Sequence, residues 1–108
     1  MSLEGEWKDA TITIATDDDL TPEVDLGRVY NFLNIYAPTL TSTTITIEVS
    51  EKSGGTFEPL YSATGVTKAA STGGWYDTFQ LGGYRWIKIL TGTGQAANRT
   101  FRVQGWKY

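Results

Sequence analysis

The chain has 108 residues, about two-fifths of them apolar and under a fifth charged, which fits one globular domain and excludes a disordered segment. Nine basic side chains against twelve acidic ones leave a net charge of −3, which argues against a basic groove for nucleic acid. With no cysteine and no histidine, Ser-His-Asp and Cys-His catalysis and the common structural zinc sites are excluded.

No apolar run approaches the roughly 18 residues of a membrane helix. The opening residues, Met1 to Lys8, have neither a basic stretch nor an apolar one, so a signal peptide is not expected. Residues 1–9 read as an N-terminal arm and residues 10–108 as a single domain.

Thr11 to Thr16 alternates threonine with apolar residues and predicts a first strand. Asp17-Asp18-Asp19 interrupts it, because short acidic side chains favour turns. Val24 to Gly27 reads as a short extended piece. Val29 to Tyr36 reads as a longer strand, with Val29, Leu33 and Ile35 on one face and Tyr30, Phe32 and Tyr36 on the other; Pro38 ends it. Thr44 to Ser50 is the plainest strand, with Ile45, Ile47 and Val49 toward a core and Thr46 and Glu48 toward water.

Ser53-Gly54-Gly55 is a turn, after which Thr56 to Tyr61 resumes the sheet, with Pro59 marking an edge or an irregularity. Gly65-Val66-Thr67 starts another short strand, and Lys68 to Gly74 reads as a flexible connection. Trp75 to Leu81 is a strand, Gly82-Gly83 a tight turn. Arg85 to Leu90 and Arg99 to Trp106 are closing strands around the small-residue loop Thr91 to Asn98. Eight or nine short strands without a helical period predict an all-β fold, an antiparallel two-sheet β-sandwich of jelly-roll type. Pro59 and the narrow apolar stripes favour open edges over a closed barrel.

Carboxylates are the remaining enzymatic option, with Glu48, Glu51, Glu58 and Asp77 as candidates for a paired-acid site. Glu48 alternates with core positions and reads more simply as a solvent-facing strand residue, so the expectation is no catalytic residue and no enzyme. Asp17, Asp18, Asp19, Glu23 and Asp25 form the densest acidic stretch. They offer calcium-type oxygens without the spacing of a helical calcium loop, and read equally as a solvated turn that discourages edge pairing. Gly92-Thr93-Gly94 lacks the following glycine, lysine and helix of a phosphate loop, and Asn98-Arg99-Thr100 matches a glycosylation sequon that reads as a turn. No cofactor and no metal are expected. Aromatic residues near glycine pairs suit core packing, a protein interface or a sugar-stacking platform. Trp7, Trp75, Tyr76, Trp86, Trp106 and Tyr108 are the interface candidates, with Trp75, Tyr76 and Trp86 suited to a platform.

Three separated stretches carry a resemblance: Val24-Asp25-Leu26-Gly27, Ser50 to Tyr61 with its Ser-Gly-Gly-Thr-Phe core, and Arg85-Trp86-Ile87-Lys88-Ile89 followed by Gln95-Ala96-Ala97-Asn98-Arg99-Thr100. In this order they resemble small β-sandwich structural proteins of tailed bacteriophage virions, of the capsid decoration or head-associated type. The resemblance implies a virion component that binds the major capsid protein lattice or other virion proteins. It implies a homo-oligomer, since such proteins often sit as trimers on local three-fold axes; from the net charge and the lack of a long apolar run, no nucleic-acid or membrane partner is expected. The alternative reading is a carbohydrate-binding module that uses an exposed aromatic platform.

Overall fold

The computed structural model describes residues 3–60 and 67–107, with residues 67–71 described by backbone alone. Tyr108, one of the interface candidates, lies outside the described residues, as do Tyr61, Gly65 and Val66. The strands are β1 (Leu3–Glu4), β2 (Lys8–Ile12), β3 (Val24–Ala37), β4 (Thr43–Ser50), β5 (Glu58–Pro59), β6 (Thr67–Ser71), β7 (Trp75–Thr91) and β8 (Arg99–Lys107). All pairings are antiparallel.

The pairing is that of a long hairpin wrapped on itself. β2 pairs with β8, the start of β3 with the end of β7, the end of β3 with the start of β7, and β4 with β5. Wrapping adds β3 to β8 and β4 to β7. This is jelly-roll logic. One layer is β1 and β2, β8, the second half of β3 and the first half of β7; the other is the first half of β3, the second half of β7, β4, and β5 with β6.

The two long strands, of 14 and 17 residues, cross from one layer to the other. Sequence alone reads them as four short strands, with Gly82-Gly83 as a chain reversal. Instead the glycines bend a continuing strand: Gly27, Gly82 and Gly83 all have positive φ, where an L side chain is strained. The register between β3 and β7 shifts twice there, between Asp25 and Tyr30 and between Tyr30 and Phe32. These bulges flip the alternation of β3. Val24, Leu26 and Tyr30 are buried before the bend and Leu33, Ile35 and Ala37 after it, whereas Val29 is 53% exposed. The predicted pairing of Val29 with Leu33 and Ile35 on one face therefore fails.

Other departures are local. The strand expected at Thr11–Thr16 is instead β2, Lys8–Ile12, because the N–H groups of Thr16 and Asp17 both donate to the Thr13 carbonyl and turn the chain. The segment expected as an arm lies along β8 from Leu3 onward, as β1 and β2. Part of the expected flexible connection, Lys68 to Ser71, belongs instead to strand β6, which starts at Thr67 and pairs with β4. Among the described residues β5, with Pro59, pairs on one side only, with β4, which suits a residue that lacks an N–H.

The core lies between the layers. Ile12, Leu33, Ile35, Ile45, Ile47, Leu81, Ile87, Ile89, Phe101 and Val103 are fully buried. Each such aliphatic or aromatic side chain contributes on the order of 1.5–3 kcal/mol on burial.

Candidate surface site

Two surface regions gather the functional candidates. The first is the outer face of the β2–β8–β3–β7 layer. Register places Asp9, Arg102, Tyr36 and Tyr76 in one cross-strand row, and Gln104, Asn34 and Thr78 in the next. Phe32 and Trp106 are partners in a third row and their rings stack, with centroids 4.4 Å apart. β1 and β2 are interrupted at Gly5-Glu6-Trp7. The Gly5 N–H donates to the Gly105 carbonyl (2.8 Å) and the Gln104 amide donates to the Gly5 carbonyl (3.0 Å), which pins this kink to β8.

The kink carries the Trp7 indole over the sheet to Tyr76, 6.3 Å between centroids and nearly perpendicular, at 77°. Tyr36 braces Tyr76 at 4.7 Å. Trp7, Asn34, Tyr76, Asp77 and Thr78 line an open groove of about 420 Å³. Its polar floor is fixed by hydrogen bonds. The Thr78 hydroxyl (2.8 Å) and the Trp106 indole N–H (2.9 Å) both donate to Asn34 Oδ1, while Asn34 Nδ2 donates to Gln104 (3.0 Å). Arg102 pairs with Asp9 at 3.0 Å and lies 6.0 Å from the Trp7 ring.

The second region is the corner where β3 and β7 bend. Asp25 accepts two hydrogen bonds from Arg85 (2.7 and 3.0 Å) and one from the Gly27 N–H (2.8 Å). The Arg85 guanidinium lowers the Asp25 carboxyl below the usual carboxylate range. The same guanidinium stacks 4.5 Å from the Trp86 ring. Trp86 is opposite Asp25 on one side and Ser50 on the other. Beside it, Ser53 and Gly54 both donate to Glu23, and the Ser53 hydroxyl is the main cause that lowers that carboxyl. Val29, Ser50, Glu51, Tyr84, Arg85 and Trp86 line a groove of about 620 Å³ there.

The six interface candidates are thus dispersed. Trp7 and Tyr76 meet, Trp106 shares their face, Trp86 sits at the corner, Trp75 packs against the core, and Tyr108 lies outside the described residues. Of the five acids in the predicted cluster, Asp17, Asp18 and Asp19 bring carboxylate oxygens within 4.8 Å of one another. Hydrogen bonding with Asp17, then burial, raises the Asp19 carboxyl. Glu23 and Asp25 are instead committed to Ser53, Gly54 and Arg85. The four acids considered for catalysis divide among three places. Glu48 faces Lys88 across the ladder and lies near Glu58, its carboxyl raised mainly by burial; Glu51 lies in the corner groove; Asp77 lies beside Tyr76.

Sequence reading gave no site role to Asn34, Thr78, Tyr36 and Arg102 at the first region or to Val29 at the second, and named Arg85 there only within the resemblance. The signal available for the first was the polar Asn34 between Phe32 and Tyr36 on one strand face.

No protein-family model and no curated protein matches the sequence. Solved structures do resemble the fold. SPBc2 prophage-derived protein YomS overlays with a TM-score of 0.56 at 13% identity, covering 94% of this chain and 95% of that one. CBM32-1 from a family 31 glycoside hydrolase of Clostridium perfringens overlays at 0.53 with 20% identity, covering 80% and 68%. A chain of the cyanophage Pam1 capsid asymmetric unit gives 0.43 at 16% identity, covering 97% and 82%. At these identities the likeness to YomS and to CBM32-1 is one of fold: an all-β antiparallel sandwich.

Proposed function

We propose that the protein is a structural component of a phage particle, of the kind that decorates the head by binding the major capsid protein lattice. One observation carries this reading. The three stretches that resemble virion proteins are far apart in sequence, yet Asp25, Ser50, Arg85 and Trp86 converge at one corner. Parts of all three stretches therefore share one built surface, while Gln95 to Asn98 lies apart, against Thr41 and Ile14. That surface offers a half-buried indole under a guanidinium and the exposed Val29, a pairing suited to an interface anchor. The protein acts by binding rather than catalysis, as a homo-oligomer, and stabilises the particle because it binds the assembled lattice and not its dissociated parts.

The test is particle purification with and without the coding gene. The protein is expected in many copies per particle, and particles lacking it lose heat resistance. Val29→Glu, at an exposed position, keeps the melting temperature of the isolated protein and loses particle binding. Absence of the protein from purified particles would refute the reading.

The carbohydrate-binding alternative has its own supporting observation, the Trp7–Tyr76 pair at a different place on the molecule.

A further inference from the structure

The turn that follows β4 holds one residue in place over the corner groove. The Ser50 hydroxyl donates to the Lys52 carbonyl (2.9 Å) and accepts from the Lys52 N–H (3.3 Å), and the Gly55 N–H closes on the same carbonyl (3.2 Å). Ser53 and Gly54 fasten the turn to Glu23. Glu51 stands between the anchored Ser50 and Lys52, exposed, and lines the groove. A side chain on so tied a backbone is preorganised for contact.

The charges nearby are matched or point elsewhere, except this one. Among the groove's lining residues Glu51 and Arg85 are the charged ones, and Arg85 is matched by its two bonds to Asp25. Glu23 is held by Ser53 and Gly54. Lys52 does not line the groove: its Cγ lies 3.0 Å from where a Cβ on Gly55 would stand. Arg28 lines a different depression, with Glu4, Glu6 and Lys8. Among the described residues Glu51 has no hydrogen bond and no ion pair, and the Tyr84 hydroxyl, in the same groove, has no hydrogen-bond partner. Both oxygens accept hydrogen bonds. Covering a lone carboxylate with anything but a cation is costly, so the charge selects its partner. The groove, about 620 Å³ in volume, has room for a long side chain, and the exposed Val29 beside it offers an apolar contact.

We infer that the corner groove receives a lysine or arginine side chain of a partner protein, its cation on the Glu51 carboxylate and an apolar neighbour of that residue against Val29. The inference rests on the particle reading for where that partner stands, in the shell lattice, and on the groove's own chemistry for what the partner presents.

The test is rebinding of the purified full chain to particles stripped of it, at low and high salt. Glu51→Gln is expected to weaken binding about tenfold and to flatten its salt dependence, and Glu51→Lys to weaken it further because like charges then meet. Lys52→Gln, on the same turn but outside the groove, is expected to bind within about twofold of the parent. All three positions being exposed and unpaired, melting temperatures stay at the parental value. Parental binding by folded Glu51→Gln and Glu51→Lys overturns the inference and leaves the particle reading standing. Absence of the protein from particles overturns the particle reading instead, and the groove is then decided by nitrogen–proton NMR of the full chain with acetyl-Ala-Val-Lys-Val-Ala-amide, its arginine counterpart and its glutamate counterpart. The Trp86 indole N–H and the Gly82 and Gly83 amides are expected to shift with a basic peptide at about 5 mM, enough to reveal a millimolar Kd, and not with the acidic one. No shift with either basic peptide, or equal shifts with the acidic peptide, overturns the inference.

Discussion

Gly105 is the position where the smallest change is expected to do the most. It is buried on β8 opposite Leu33, and the Tyr30 ring lies directly on it. A methyl group at Gly105 would sit 2.1 Å from Tyr30 Cδ2, 2.6 Å from Cγ and 2.7 Å from Cε2. Carbon atoms pack at about 3.5–4 Å, so the ring must retreat by roughly 1.5 Å. It has nowhere easy to go. Tyr30 is 4% exposed, its backbone is held between two register shifts, and its hydroxyl end abuts Gly5. Overpacking a closed core costs about 1–3 kcal/mol, at the upper end where backbone must move. Gly105 is not at positive φ, so alanine also gains about 0.4–1 kcal/mol by restricting the unfolded chain. The steric term wins, for a net loss of about 2 kcal/mol. At about 4 °C per kcal/mol for a chain of this length, Gly105→Ala should lower Tm by roughly 8 °C. Thermal and urea unfolding followed by circular dichroism give the value. In a Tyr30→Leu background the same substitution should cost less than about 1 kcal/mol, since the colliding ring is gone. A Gly105→Ala protein melting within about 2 °C of the parent, or an equal cost in both backgrounds, would refute the packing argument.

Two further outcomes follow from hydrogen bonds. Gln95 is buried, accepts from the Thr41 N–H and donates to the Thr41 carbonyl, so Gln95→Ala should cost about 2–3 kcal/mol in urea unfolding by stranding groups that need partners. Asp25, whose folded carboxyl lies below its unfolded value because of Arg85, adds stability above the ordinary carboxylate pKa and loses it as pH falls through the lowered one. Asp25→Asn should therefore melt lower at pH 7, with the gap closing as pH falls through the lowered Asp25 value; a gap independent of pH would count against the ion pair.

Much of the fold was legible because alternation is local. Ile45, Ile47 and Val49 are buried as their period-2 spacing requires, and Pro59 lies on an edge because it cannot donate to a ladder. Gly82-Gly83 was not legible. A glycine pair reverses a chain in one context and bends it in another, and only the distant partner, β3, decides which. The burial of Tyr30 and exposure of Val29 depend on the same bulge. Trp7 and Tyr76 stood out individually as exposed-aromatic candidates, but their meeting depends on register across three strand pairings. Sequence alone assigns Asn34 and Thr78 no role, because the bonds from the Trp106 indole and the Thr78 hydroxyl that orient the Asn34 amide join separate strands. The stretch Gln95 to Asn98, part of the resemblance, is a clamp: Gln95 binds Thr41, and Asn98 accepts from the Ile14 N–H.

That β3 and β7 each belong to both layers has a mechanical consequence. Neither layer has a seam along which it can separate from the other, since parting them means tearing two continuous ladders rather than undocking two faces. Amides of the β3–β7 ladder on either side of the bend, near Val24 and near Ile35, should therefore exchange with deuterium together and only on global opening, as a single foldon. A tether pulling on the molecule would load both ladders in shear.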